Sequence, residues 1–112
     1  MRLAVVGSRG ISHLFIDTYL PDGVTEIVSG GAKGVDRLAA DFARRHGIAL
    51  REFLPEYSIY GRGAPLKRNP KIAEYADEAL VFWDGASRGT AHTIELFRRL
   101  GKKITLILIN KE

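Results

Sequence analysis

Ser29-Gly30-Gly31-Ala32-Lys33-Gly34-Val35-Asp36 is the stretch on which the fold of this chain turns. A short apolar run, Val24 to Val28, leads into it, and Val35, Leu38, Ala39, Phe42 and Ala43 follow at helical spacing. The glycines therefore stand where a strand ends and a helix begins. Three glycines within five residues allow a tight turn and let a ligand approach a backbone that carries no Cβ. The N–H groups of a helix's first turn, with the helix dipole, make an anion site that suits phosphate. A tight strand-to-helix turn, with Asp36 stabilising the helix start, accounts for the same residues without any ligand.

The rest of the chain repeats the alternation. Leu3 to Val6 is a continuous apolar run ending at Gly7, as in a strand buried on both faces of a parallel sheet. Ile11, Leu14, Phe15 and Leu20 suggest a first helix, closed by a turn at Pro21-Asp22-Gly23. The helix after Val35 is expected to end near His46, with Arg44 and Arg45 favoured by the dipole and Gly47 as a left-handed cap. Ile48 to Leu54 alternates only loosely and reads as a third strand at a sheet edge. Pro55 to Gly63 is expected to be a loop, and Asn69-Pro70 an N-cap and first helical residue ahead of Ile72 and Ala76. Ala79 to Trp83 and Ile104 to Ile109 are the fourth and fifth strands. Between them lies a helix through Ala91, Ile94, Phe97 and Leu100, closed by Gly101. Strands alternating with helices predict an α/β chain with a parallel sheet covered on both faces.

Ligands bind outside the carboxyl ends of the strands in open parallel sheets. Three strands here run into small or polar turns: Gly7-Ser8-Arg9, Ser29-Gly30-Gly31, and Asp84-Gly85-Ala86-Ser87 ahead of Gly89-Thr90. A strand order of 3-2-1-4-5 would bring all three turns to one crevice. Arg9 and Arg68 are the cations that could reach a phosphate there, and Tyr57, Tyr60 or Trp83 could stack on a base. Neither G-x-G-x-x-G nor a Walker A loop is present, which argues against ordinary NAD-dependent hydride transfer and against a P-loop.

Composition narrows the classes further. The 112 residues suit one domain, and a formal charge of +4 favours anionic partners such as nucleotides or nucleic acid. The absence of cysteine excludes disulfides, thiolate metal sites and a cysteine nucleophile. No signal peptide or membrane span is expected, and a cytoplasmic location is compatible with this. His13, His46 and His92 lack metal-ligand spacing, so no metal is predicted. No G-x-S-x-G elbow surrounds Ser8, Ser29 or Ser87, and phosphate hydrogen bonding suits them better than nucleophilic attack. Asp36 serves as a cap or a ribose ligand. Asp84 binds a ribose hydroxyl or a metal-bound water, or ends a strand. Arg62, Lys67, Arg68 and Lys71 beside two tyrosines form a basic patch of a kind that binds single-stranded nucleic acid, or one that is simply solvated.

Taken together, these residues resemble the SLOG superfamily, the Rossmann-like group that unites Smf/DprA DNA-processing proteins with LOG phosphoribohydrolases. Val6-Gly7-Ser8-Arg9 resembles the first-strand motif of the DprA branch, and Val28 to Asp36 is similar to its S-G-x-A-x-G-[IV]-D motif. Arg68-Asn69, Ala76-Asp77, Asp84-Gly85, Ser87 and Gly89-Thr90 look like the small YspA-like branch. The resemblance implies one Rossmann-like domain over residues 1–112 and a pocket for a nucleotide or nucleotide-derived ligand, such as ADP-ribose or an NAD derivative. Its expected contacts are Gly7, Ser8, Arg9, Ser29, Gly30, Gly31, Ala32, Lys33, Gly34, Asp36, Arg68, Asn69, Asp84, Gly85, Ser87, Gly89 and Thr90. The expected role is binding or sensing. The alternatives are a hydrolase acting on an N-glycosidic or phosphate bond and a DprA-like nucleic-acid-binding module, and a homo-oligomer is compatible with each. LOG enzymes carry P-G-G-x-G-T-x-x-E. Here the glutamate's position is Thr93 and the nearest acid is Glu95, about 200° further round a helix.

Overall fold

The computed structural model describes residues 1–109. Its five strands are β1 (Arg2–Gly7), β2 (Glu26–Ser29), β3 (Ala49–Glu52), β4 (Glu78–Trp83) and β5 (Lys103–Leu108). They form one sheet in the order β3-β2-β1-β4-β5, and every pairing is parallel. The helices are α1 (Val35–Arg45), α2 (Tyr57–Tyr60), α3 (Ala64–Tyr75) and α4 (Arg88–Arg99), with 3₁₀ turns at Ile16–Thr18 and Gly61–Gly63. This is the Rossmann-like α/β arrangement and the strand order expected from the sequence.

The apolar runs explain the order. β1 and β4 are buried on both faces because Leu3 to Val6 and Ala79 to Phe82 have no polar residue to present to water. Their alternate side chains feed two cores. Leu3, Val5, Leu80 and Phe82 meet Val35, Ala39, Phe42 and Ala43 of α1. Ala4, Val6, Ala79 and Val81 meet Ile72 and Ala73 of α3, Ala76, and Ile94 and Phe97 of α4. The small pair Ala4 and Ala79, opposite one another in register, leaves room for α3 at the sheet. β3 alternates exposed and half-buried residues, as an edge strand does. Gly47 adopts φ 65°, and the Ile48 N–H reaches the Ala43 carbonyl, closing α1 with the left-handed cap expected there.

Four expectations are corrected. Residues 11–20 hold only the 3₁₀ turn, not a helix. Ile11 and Ile16 are buried against the α1-side core while Phe15 is 80% exposed, so the spacing reflects separate anchors of an irregular segment. Pro55 to Gly63 is not a plain loop but contains α2 and the second 3₁₀ turn. Asn69-Pro70 does not start a helix: α3 begins at Ala64 with Pro65 in its first turn, and Pro70 lies inside it. An internal proline forfeits one helical hydrogen bond and costs about 3 kcal/mol or more. Leu66, whose carbonyl loses that donor, is on the exposed side, where water can replace it. The next helix also starts earlier than expected, at Arg88, so Gly89 and Thr90 belong to its first turn.

The far end of α3 is closed by a single side chain. Lys102 Nζ donates to the carbonyls of Ala73 (2.7 Å), Glu74 (2.9 Å) and Ala76 (2.7 Å). An ammonium at a helix C-terminus satisfies orphan carbonyls and opposes the dipole. Replacing it in Lys102→Met is expected to cost about 1–2 kcal/mol. In a thermal melt each kcal/mol lowers Tm by about 4–8 °C in a domain of this size.

Candidate functional site

The sheet changes winding direction between β1 and β4, and a cleft of about 330 Å³ opens where those two strands end. Val6, Gly7, Ser8, Arg9 and Gly10 form its floor and one side, and Ala32 and Asp36 its α1 side. Pro65, Arg68, Asn69 and Ile72 of α3 form a third wall, and Asp84, Ser87, Gly89, Thr90 and Thr93 the fourth. Of the residues named from sequence, Gly7, Ser8, Arg9, Ala32, Asp36, Arg68, Asn69, Asp84, Ser87, Gly89 and Thr90 thus come together. Ser29, Gly30, Gly31, Lys33, Gly34 and Gly85 are not on its walls.

The glycine stretch stays off the walls because its polar groups bond within the protein. Asp36 Oδ2 accepts the Ala32 N–H at 3.2 Å, and the same carboxylate takes the Gly30 N–H. The Gly31 N–H points to Ser29 Oγ at 3.5 Å, and Ser29 Oγ in turn donates to the Asp36 carbonyl at 3.2 Å. Gly34, at φ 75°, is required by contact: a Cβ there would stand 2.5 Å from the carbonyl oxygens of Ser8 and Arg9. Asp36 consequently does not cap α1, whose N-cap is Gly34 with no side-chain bond. It organises the loop instead.

Arg68 holds the loop from the other side. Its Nε donates to Asn69 Oδ1 at 3.0 Å, and its Nη1 donates to the carbonyls of Phe53 (3.1 Å) and Gly30. Every fully buried side-chain nitrogen and oxygen among the described residues has a partner, so Nη2, which makes no such bond, is the part of this buried guanidinium left at the cleft surface. Burial pushes the Asp36 carboxyl above the ordinary carboxylate range, outweighing the bonds from Ala32 and Gly30 and the attraction of Arg68 and Arg9. Burial likewise lowers the Arg68 guanidinium, with Asp36 opposing.

Hydroxyls join the β1 and β4 turns. The Asp84 N–H donates to Ser8 Oγ at 3.1 Å, Ser8 Oγ and Ser87 Oγ are 2.8 Å apart, and Ser87 Oγ donates to Thr90 Oγ1 at 3.0 Å. Because the Ser87 hydrogen is committed to Thr90, the Ser8 hydrogen lies toward Ser87, and the chain runs in one direction to the cleft wall. Asp84 Oδ1 accepts the N–H groups of Ala86 (2.9 Å) and Ser87 (2.8 Å), which shapes the turn into α4. No side chain caps α4 and its first turn carries no acid; the carboxylate just ahead of it, Asp84, accepts from the amides of Ala86 and Ser87.

Outside the cleft, Glu95 pairs with Arg99 at 3.4 Å in solvent, while Thr93 lines the wall with its hydroxyl on the Gly89 carbonyl at 3.2 Å. Asn69, oriented by the donor-only Arg68 Nε, presents Nδ2 to His92 Nδ1 at 3.2 Å, which fixes that ring nitrogen as an acceptor. His46 stacks on Phe42 at 4.2 Å between ring centroids. Lys71 pairs with Glu56 at 3.2 Å, and Trp83 Nε1 donates to the Ser87 carbonyl at 3.0 Å. Among the described residues no three His, Cys, Asp or Glu side chains gather as metal ligands, and no helix is long and apolar enough to cross a membrane.

Sequence reasoning passed over Val6, Gly10, Pro65, Ile72 and Thr93. The signal for three of them was present: Pro65, Arg68, Asn69 and Ile72 recur at the spacing of one helix face, hidden by taking Asn69-Pro70 as a helix start. Thr93 follows Gly89 and Thr90 at the same spacing.

The raised Asp36 value has a measurable sign. Between the unfolded value of 3.8 and the higher native one, the folded chain holds more protons, so this group's contribution to stability falls as pH rises through that window. Asp36→Asn is expected to remove that component while keeping an oxygen for the loop amides. The stability difference, variant minus wild type, should increase with pH through the window in urea titrations, and a pH-independent difference would contradict it.

Residues 16–60, which contain the glycine stretch and β3, match the family described as YAcAr: YspA, cpYpsA-related SLOG family. No curated protein and no solved structure gives a significant match to the chain. The family match, over 45 of the 112 residues, together with the sheet order, supports the likeness to the YspA-like branch of the SLOG superfamily expected from the sequence.

Proposed function

We propose that the cleft between β1 and β4 binds a nucleotide or nucleotide-derived ligand of the ADP-ribose or NAD-derivative kind, in a binding or sensing role. The observation that carries this reading is the start of α4. A twelve-residue helix points an acid-free first turn into a cleft whose opposite wall holds a fixed guanidinium edge. A phosphate would take the amides of Arg88, Gly89 and Thr90, with Arg68 Nη2 and Arg9 adding charge. Asp36 and the Thr90 hydroxyl would meet sugar hydroxyls. The match to a SLOG family over residues 16–60 supports nucleotide-related binding at this coarse level.

Thr93 stands where a LOG-type hydrolase needs its glutamate, which favours binding over cleavage. A nucleic-acid surface made of Arg62, Lys67, Arg68 and Lys71 loses two members, because Arg68 is buried and Lys71 is paired.

Magnitudes set a limit on the phosphate contact. A helix N-terminus contributes at most about 2 kcal/mol and each charge-assisted bond about 1.5–3 kcal/mol. Two such bonds and the helix end reach at best the ~8 kcal/mol of micromolar binding, before the cost of association. The remaining parts of the ligand must contribute.

The test is a thermal-shift panel of ADP-ribose, NAD and AMP against the protein and Gly89→Glu. A ligand at 100 times its Kd should add about 2.7 kcal/mol of stability. A Cβ at Gly89 meets nothing within 4 Å, and a carboxylate in a first helical turn suits the dipole. Gly89→Glu should therefore melt no lower than the parent yet bind at least about 10-fold more weakly, a difference of ~1.4 kcal/mol. Unchanged affinity would remove the phosphate from this end of α4.

A further inference from the structure

The segment between β3 and α3 leaves an unusual amount of apolar surface in water. Leu54 is 62% exposed, Tyr57 55%, Ile59 65%, Tyr60 47% and Leu66 49%, and α2 buries none of its four residues. A patch of this kind rimmed by charged residues marks a binding surface more often than a folding defect. Its location is what gives it meaning. Leu54 lies directly over Gly31, the Tyr57 phenol is close enough to Arg68 to interact electrostatically with it, and Pro65, one residue before Leu66, is on the cleft wall. Arg68 and Pro65 both line the cleft, so the patch borders it on the α3 side.

Apart from Phe15, exposed on the segment that follows β1, the turns beside the cleft carry no exposed large apolar residue. The turn after β1 is Ser8-Arg9-Gly10, and the turn after β4 is Asp84-Gly85-Ala86-Ser87. Trp83 has its indole nitrogen tied to the Ser87 carbonyl. Tyr19 packs edge-on against Phe82 on the opposite, α1-side core. A cleft of about 330 Å³ is at the small end for a whole organic ligand. A ligand held by phosphate and sugar inside it must carry its remaining bulk onto a rim.

We propose that the rim from Leu54 to Leu66 is a base-stacking subsite, with Tyr57 as its platform, and that the ligand is a purine nucleotide. This rests on the nucleotide reading above. Stacking on a phenol ring with aliphatic neighbours rewards the larger, flatter bicyclic base and reads no hydrogen-bond pattern, so purines exceed pyrimidines while adenine and guanine differ little.

The experiment is isothermal titration of AMP, GMP, CMP and ribose 5-phosphate into the protein, Tyr57→Ala and Tyr57→Phe. Because Tyr57 is exposed, both variants should melt within a few degrees of the parent, and this is checked first. AMP and GMP are expected to bind about 10-fold or more tighter than ribose 5-phosphate, with CMP between. Tyr57→Ala should bring AMP down to the ribose 5-phosphate level without changing ribose 5-phosphate itself, and Tyr57→Phe should retain the advantage. Equal affinity for AMP and ribose 5-phosphate overturns the stacking subsite and leaves the nucleotide-phosphate reading standing. Equal weakening of both by Tyr57→Ala overturns it too, because that is the mark of a structural role. No binding by any of the four overturns both readings.

Discussion

The buried guanidinium of Arg68 is the constraint around which the carboxyl edge of the sheet is arranged. Taking a cation out of water costs several kcal/mol and is tolerated only where hydrogen bonds and a counter-charge replace the lost hydration. Arg68 finds them on three separate segments: the Gly30 carbonyl after β2, the Phe53 carbonyl after β3 and the neighbouring Asn69 on α3 itself, with Asp36 as the nearby anion. Satisfying one side chain thus ties a helix, a glycine turn and the end of an edge strand together. It also accounts for a helix that runs through Pro70. The local cost at that residue is set against a network that needs Arg68 and Asn69 in helical geometry.

The sheet was legible from sequence for a simple reason. β1 and β4 are apolar without interruption, as central parallel strands need to be, and the order β3-β2-β1-β4-β5 is one that puts both of them in the middle. The short β3 was placed correctly at an edge because Ile48 to Leu54 alternates only loosely, and its exposed and half-buried residues alternate as an edge strand's do. Residues 11–20 were not legible. Spacing of apolar residues records which side chains are buried, and an irregular segment with Ile11, Leu14, Ile16 and Leu20 as anchors leaves almost the same record as a helix. Asn69-Pro70 failed differently. Its local pattern is a sound helix start, and what overrides it is a set of hydrogen bonds to residues distant in the chain.

The candidate site divides along the same line. Residue type and sheet order brought Ser8, Arg9, Asp36, Asp84, Ser87 and Thr90 to one cleft. Composition could not say which amides would face it. The richest glycine stretch, Ser29 to Gly34, is compatible with a phosphate cradle or with an internally bonded turn, and the choice rests on where one carboxylate points. Asp36 points inward and takes the amides of Gly30 and Ala32.

That inward turn makes the two helix starts at the cleft unlike in use although both carry the same dipole. α1 has its own carboxylate in the first turn, pulled back into the loop, so its positive end is already answered within the chain. α4 has none, and its N-cap serine spends its hydroxyl on Thr90 and Ser8 rather than on a backbone amide. A serine that does not cap its helix instead fixes, through Ser8, the spacing between the turns after β1 and β4. An anion at α4 would then meet a donor set held rigid by bonds that do not involve it, so little ordering remains to be done when it binds. The two turns thus differ in where their acid sits: Asp36 lies inside its helix and reaches back to the loop, whereas Asp84 lies ahead of its helix and holds the turn that leads into it.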